Sequence, residues 1–361
     1  ADPERAGLLY CGTETGLYIS FDDGATWEHF QLNLPVAPVH ELLVRGTDLI
    51  AGTHGRAIWI LDDVSPLRQM GKLGKAHLFR PRRTERITPN IDWSGNVAGK
   101  NYLSSSGGAY IFDTTEENEI VPTYLDVGQN PPKGAIITYY LKQQPKGVLT
   151  LTFSDASGKE IRSFKSRDPE ATEKPKDRLI PAREGWNRFV WDLRHAPVTK
   201  IEGSDPAAEA TIDGPLVAPG TYQVTLNSGD TTLTEPFEVI KPGALPASDE
   251  DLQAQYGLLR QVYDKQNETI AAINRMRDLR QQLDGWAKRV TGAANGEAIA
   301  DTATKLRDKV LEIEKELLVP DLRPGWADNI NNGVRLLAKL SSVGEVVELG
   351  DYRPTDQAYQ V

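Results

Sequence analysis

One short stretch constrains the fold of this chain more than any other feature. Residues 20–27 read Ser-Phe-Asp-Asp-Gly-Ala-Thr-Trp and follow an alternating apolar run that predicts a β-strand. Asp22 can accept hydrogen bonds from backbone N–H groups of a turn, and Gly24 can take the positive φ of a tight hairpin. Trp27 would then cover the turn from its apolar side. The stretch therefore predicts a hairpin between two strands and indicates an architecture rather than a reaction.

The strand–turn–strand phrase recurs further along the chain. Aligning residues 11–13 (Cys-Gly-Thr) with residues 51–53 (Ala-Gly-Thr) gives a repeat of roughly 40 residues, typical of a four-stranded propeller blade. The second copy lacks the Ser-x-Asp-x-Gly-x-Thr-Trp pattern and continues into Asp62 and Asp63. We interpret these two carboxylates as turn caps at the exit from a last blade, and we predict its outer strand at 76–80.

Two resemblances extend this reading. Ser20, Asp22, Gly24, Thr26 and Trp27 match the defining positions of the Asp-box of β-propeller blades. Phrases spread in order along the chain resemble bacterial secreted proteins labelled sortilin-like or BNR-repeat glycosyl hydrolases: 16–24 (GLYISFDDG), 32–36 (LNLPV), 53–63 (THGRAIWILDD), 128–135 (GQNPPKGA) and 351–357 (DYRPTDQ). The resemblance implies the C-terminal third of such a protein, preceded by large Asp-box propellers, and a periplasmic or extracellular location.

Pattern changes divide the chain into four predicted regions. Residues 1–80 are expected to form the last blades of a propeller, and residues 81–132 an extended, proline-rich linker without regular elements, anchored by aromatic side chains such as Trp93. Residues 133–242 read as an immunoglobulin-like β-sandwich. Residues 246–361 change to helical spacing, which predicts an antiparallel helical bundle that is cut short. The expected fold class is multidomain, mainly β with an α-helical C-terminal part.

Charge and cysteine content narrow the function classes. With 41 Lys and Arg against 51 Asp and Glu, the formal net charge of −10 argues against nucleic acid or an anionic membrane as partners. No apolar run approaches the roughly 18 residues of a membrane span. The chain begins at Ala1 without an initiator Met or signal peptide, so we expect an upstream part to have been removed. Cys11, the single cysteine, is expected to be a buried small hydrophobe in an inner strand.

Three side chains are candidates for ligand binding. His54 and Arg56 lie in the loop that joins two strands of the second repeat copy, where Arg56 could bind a carboxylate or a sugar hydroxyl, or pair with an acid of a neighbouring blade. Trp186 and Trp191 are five positions apart on one predicted strand, so they face opposite sides of it. One should be core, and the other, for which we choose Trp186, could stack on a sugar ring.

No residue pattern predicts catalysis. The histidines show no metal spacing and lack cysteine partners, and we find no phosphate loop, nucleophile elbow or dinucleotide fingerprint. We therefore expect no catalytic residue, metal or cofactor here. The favoured function is a non-catalytic segment for scaffolding, assembly or binding, whose partners are the remainder of the propeller, a carbohydrate or peptide, or an oligomer. The alternatives are part of a glycoside hydrolase with its active site upstream, or a sortilin-like protein or peptide receptor.

Overall fold

The chain forms two compact units. A computed structural model describes residues 1–87, 101–104, 108–125, 128–175, 177–202, 213–320 and 332–360. The first unit comprises Ala1–Leu193 and Gly220–Ile240, and the second comprises Arg194–Pro219 and Lys241–Val361. In the described residues the first unit is built mainly of β-sheets and the second of α-helices. This confirms the expected mainly β chain with a helical C-terminal part.

The N-terminal residues form two three-stranded antiparallel sheets. The first repeat sheet has the order β1 (Leu9–Thr13), β2 (Gly16–Ser20), β3 (Glu28–His29). The second repeat sheet has the order β4 (Val39–Arg45), β5 (Asp48–Thr53), β6 (Ile58–Leu61), and the chain then enters the short helix α1 (Ser65–Arg68). One face of each sheet contributes to a shared apolar cluster around buried Leu17, Leu49 and Val64.

A third sheet occupies part of the region expected to be an irregular linker. After β7 (Ala76–Leu78) and β8 (Thr84–Glu85), strands β9 (Asn101–Ser104), β10 (Gly108–Thr114) and β11 (Ile120–Tyr124) pair in the order β11-β10-β9. The expectation that 81–132 holds no regular element is therefore wrong. Pro122, one of the prolines of this region, lies in the edge strand β11, where its missing N–H need not interrupt the sheet. Trp93 lies outside the described residues.

The sandwich region contains two facing sets of strands, joined by two strands from earlier in the chain. The remaining strands of this unit are β12 (Ala135–Leu141), β13 (Thr150–Asp155), β14 (Glu160–Lys165), β15 (Gly185–Trp191), β16 (Gly220–Asn227) and β17 (Thr232–Ile240). They form the sheets β15-β12-β7 and β14-β13-β16-β17-β8. The expected outer blade strand at 76–80 is thus wrong, because β7 pairs with β12, where Leu78 and Phe79 become buried.

The second unit is organised around one long helix. Helix α2 (Asp249–Arg289) follows the N-cap Ser248, which forms a reciprocal capping box with Asp251. It packs against α3 (Gly296–Leu317) and α4 (Leu336–Glu348). Arg277 and Arg280 of α2 pair with Glu314 of α3, whereas Asp284, further along α2, pairs with the earlier Arg307. This reversed order makes α2 and α3 antiparallel, as the sequence predicts.

Candidate functional site

The motif at residues 20–27 closes a turn through its own side chains. The Ser20 hydroxyl donates to Asp22 Oδ1 at 2.9 Å and accepts from the Gly24 N–H at 2.9 Å. Asp22 also accepts from the Thr26 N–H at 2.8 Å and from the Thr26 hydroxyl at 2.6 Å. Gly24 has φ +89°, and the ring of Trp27 lies beside it although Trp27 itself is exposed. The contacts of Asp22 are therefore those of a turn-capping group.

We expect Asp22→Asn to lower stability, and by more at neutral than at acid pH. The hydrogen bonds from the Thr26 hydroxyl and N–H, and then from Ser20, hold the pKa of Asp22 below its ordinary value. A lowered pKa in the folded state contributes stability above the unfolded pKa, and that contribution is lost as pH falls through the folded pKa. Urea unfolding of both proteins across the acid range measures this. A difference between the two proteins that does not change with pH would contradict it.

The loop carrying His54 and Arg56 is exposed. The His54 N–H donates to the Pro38 carbonyl at 2.9 Å, and the rings of His54 and His40 lie 5.3 Å apart. The Arg56 carbonyl accepts from Trp59 Nε1 at 2.7 Å, which fixes the loop backbone. Among the described residues no ion pair of Arg56 is found, so neither a ligand role nor a neighbouring acid is singled out for its guanidinium.

The second repeat sheet has an open apolar face. Leu43, Ile50 and Ile60 lie directly opposite one another on β4, β5 and β6, with Ile58 two positions from Ile60 on the same face. Leu43, Ile58 and Ile60 are 53%, 71% and 56% exposed. On the other face, Val44, Leu49 and Leu61 pack into the shared cluster. Within the part of the chain that the structure describes, this sheet is therefore apolar on both faces but covered on one.

The corresponding face of the first repeat sheet is covered. The alignment of residues 11–13 with residues 51–53 makes Gly12 equivalent to Gly52. Gly12 lies opposite Leu17 in the first sheet, and Gly52 lies opposite Ile58 in the second. Leu17 is therefore the counterpart of Ile58. In the same way Ile19 is the counterpart of Ile60. Leu17 and Ile19 are buried, and Leu17 packs in the cluster that includes strands of the second sheet. The same repeat position is thus buried in one sheet and exposed in the other.

On the opposite faces of the two repeat sheets, the residue of the first sheet is exposed and its counterpart in the second sheet is buried. Cys11 is exposed, whereas its counterpart Ala51 is only 5% exposed. The expectation that Cys11 is buried is therefore wrong. It lies on the face of β1 that turns away from the second sheet, and the described residues leave its side chain exposed there. Sequence reasoning correctly placed Cys11 on a strand but could not tell which of the two faces is covered.

Trp186 borders a polar cleft of about 330 Å³ on the sandwich. Trp186 is 46% exposed, whereas Trp191 is fully buried. The Trp186 ring stacks on the buried ring of Phe79, with centroids 5.0 Å apart and planes 10° apart, and makes a T-shaped contact with Tyr140. Four of the charged side chains that line the cleft form ion pairs, Arg178 with Glu119 at 2.8 Å and Arg183 with Glu117, and Arg188 lines it as well. The cleft therefore combines a half-exposed aromatic ring with two guanidinium groups that are already held by carboxylates.

The paired carboxylates at the end of β6 have separate roles. Asp63 accepts from the Ser65 N–H at 3.0 Å and so caps the entry into α1. Asp62 is half-buried, and its burial, followed by the repulsion from Asp48, raises its pKa above the ordinary value. Arg188 and Arg82 act in the opposite direction. A cap and one perturbed acid do not make a pair of opposed catalytic groups.

The described residues contain neither a membrane-spanning helix nor a candidate metal site. Across the described ranges, no helix combines the length and apolarity needed to cross a membrane. Among the same residues, no three His, Cys, Asp or Glu side chains converge as a candidate metal site.

No protein-family model matches this chain, and no curated protein matches it. The similarity to sortilin-like and BNR-repeat proteins therefore remains a prediction from the sequence phrases.

Sequence reasoning overlooked the open apolar face, although the sequence carries a signal for it. Residues 42–44 (Leu-Leu-Val) and 58–61 (Ile-Trp-Ile-Leu) are continuous apolar runs rather than alternating ones. Continuous runs are typical of strands covered on both faces. The second repeat sheet is covered on one face only within the described residues, so the sequence anticipates a partner on the other.

Proposed function

We propose that this chain is a non-catalytic assembly segment whose two repeat sheets are blades of a β-propeller. The partner is the remainder of that propeller, in the same protein or in another chain. The observation that carries the proposal is the exposure of Ile58 and Ile60 where their counterparts Leu17 and Ile19 are buried, Leu17 in a cluster shared with the second repeat sheet. A further sheet stacked on the second repeat sheet would restore the same burial.

The energetic argument favours a sheet as the partner. Full burial of an isoleucine or leucine side chain contributes about 1.5–3 kcal/mol, so Leu43, Ile58 and Ile60 together offer a substantial docking energy. A repeat unit buries its apolar faces by packing against neighbouring repeats, because a single unit cannot cover those faces by itself. The sequence repeat of roughly 40 residues matches one blade. The immunoglobulin-like sandwich and the helical bundle would then serve as appended scaffold modules.

The family resemblance adds location and alternatives to this proposal. It supports a periplasmic or extracellular protein of the sortilin-like or BNR-repeat class. Within that class, the whole protein could be a glycoside hydrolase with an upstream active site, or a protein or peptide receptor. Trp186 gives the chain one aromatic platform at which a carbohydrate could bind, but no feature of the cleft singles out a sugar.

We expect the purified chain to hydrolyse no glycoside. A glycosidase needs two carboxylates fixed across the scissile bond in a concave site, whereas Asp63 is engaged as a cap. A screen with aryl glycosides and with plant and bacterial polysaccharides measures this. Turnover that disappears in Asp62→Asn or Asp63→Asn would contradict the non-catalytic proposal and would assign an active site to the end of β6.

Site-specific photo-cross-linking tests the assembly role. The full chain is produced in the cells that naturally encode it, with a photoreactive amino acid at position 58 or 60. We expect cross-links to a peptide with alternating apolar residues, as in a blade strand, and mass spectrometry identifies that peptide. The control position is Val36, which is 77% exposed but lies in a loop outside the repeat sheets.

Each outcome of this experiment decides the proposal. Cross-links from positions 58 and 60 to strand peptides of a propeller, with little from position 36, support it. Equal yields at the three positions would indicate general adhesion of exposed apolar side chains and would overturn it. Cross-links to a peptide without strand character would overturn the identity of the partner as a blade.

A further inference from the structure

The two repeat sheets differ in which strands they contain. In the second sheet β4 lies outside β5, and β6 follows on the other side. β1 corresponds to β5 and β2 to β6, so within the described residues the first sheet contains no counterpart of β4. Strand β1 is therefore an edge strand, whereas β5 is central. An edge strand presents unpaired backbone groups that another strand can take up.

Strand β4, which has no counterpart in the described part of the first sheet, covers one edge of β5 in the second sheet. β4 pairs antiparallel with β5, with Leu42 opposite Ala51 and Val44 opposite Leu49. Leu42 and Val44 both pack in the shared apolar cluster, on the face where Ala51 is buried. The equivalent face of the first sheet carries Cys11, which is exposed. The same chain thus contains both the open edge and an example of how that edge is filled.

We propose that an antiparallel strand with apolar residues at alternate positions adds to the outer edge of β1, in the register of β4 on β5. The contact begins beyond Leu8, whose backbone N–H and carbonyl already form hydrogen bonds with Arg5 and Asp2. This inference rests on the proposed function, because the strand would belong to the blade of which β1–β3 are part. Its apolar residue equivalent to Leu42 lies directly opposite Cys11, on the same face. The next residue, equivalent to Leu43, lies opposite Tyr10 and on the other face.

Thiol exchange at Cys11 tests both the pairing and its register. The probe is a synthetic peptide with the sequence of residues 38–46, which contains β4, and with Leu42→Cys as a mixed disulfide with thionitrobenzoate. Directly opposed residues of an antiparallel pair have Cα atoms about 4.5–5.5 Å apart, which suits a disulfide. The Cys11 thiolate displaces thionitrobenzoate, whose colour reports the rate. Cys11 is the single cysteine, so the product is unambiguous.

The matched control moves the activated cysteine by one position, to Leu43→Cys in the same peptide. Pairing brings the two sulfurs together at high effective concentration in the first peptide only, so we expect it to react at least about tenfold faster. The Cys11→Ser chain should release no colour with either peptide. Equal rates for the two peptides would overturn the strand addition.

Other occupants of the edge have distinct signatures. If β1 instead pairs with β1 of a second copy, disulfide-linked dimers form under oxidation without peptide, and the two peptides react alike, which also overturns the proposal. The assembly role is tested separately, at Ile58 and Ile60 on the other sheet. Failure at Cys11 with success at those positions would remove the strand addition and leave the proposed function intact.

Discussion

Replacing Glu314 with alanine is expected to destabilise the helical unit by about 3–5 kcal/mol, because it leaves two arginines near a buried site without their carboxylate. Glu314 is fully buried on α3. Its Oε1 accepts from Arg277 Nε at 2.9 Å, and its Oε2 accepts from Arg280. When one partner of a buried ionic group is removed, the remaining charge stays buried without a partner. The loss of folding stability is therefore larger than the net stability that the intact group contributes.

Urea unfolding followed by far-ultraviolet circular dichroism measures this loss. Glu312→Ala is the matched control, since Glu312 lies on the same helix and pairs with Lys315 at 2.7 Å on the surface. Exposed pairs contribute little, so the control should change stability by less than about 0.5 kcal/mol. Equal effects of the two substitutions would contradict the buried network. A triple variant with methionine at positions 277, 280 and 314 should recover part of the loss by apolar packing.

The sequence predicts the local elements of this chain well. Ser248 and the acidic residues after it identify the start of α2. The helical spacing of apolar residues predicts α3 at about 297–318, and the structure has Gly296–Leu317. The turn residues Asp22 and Gly24 predict the hairpin contacts. These features succeed because each depends on interactions within a few residues, which a single sequence contains.

The sequence predicts less well which strands pair and which sheet faces pack together. β7 carries ordinary strand residues, and nothing in them indicates pairing with β12 rather than with a blade. β8 likewise pairs in parallel with β17, from far along the chain. The exposure of Cys11 depends on which face of the first repeat sheet is covered by another part of the protein. Such outcomes are decided by long-range contacts, for which local propensity and alternation carry no information.

The two tryptophans of β15 provide the other large expected effect. Trp191→Ala should destabilise the sandwich by about 3–5 kcal/mol, because it removes a fully buried aromatic side chain. The Trp191 ring stacks on Phe153 with centroids 4.4 Å apart and makes edge contacts with Tyr222 and Phe237. These rings belong to both sheets of the sandwich, so the cavity left by alanine would lie between them.

Trp186→Ala is the matched control on the opposite face of the same strand. Its half-exposed ring contacts Phe79 face to face and Tyr140 in a T-shaped arrangement, and we expect a loss of about 0.5–1.5 kcal/mol. Urea unfolding followed by near-ultraviolet circular dichroism measures both variants. Similar losses would contradict the assignment of Trp191 to the core and of Trp186 to the cleft. If Trp186 also serves as a sugar platform, its variant should lose oligosaccharide affinity in calorimetry while Trp191→Phe retains it.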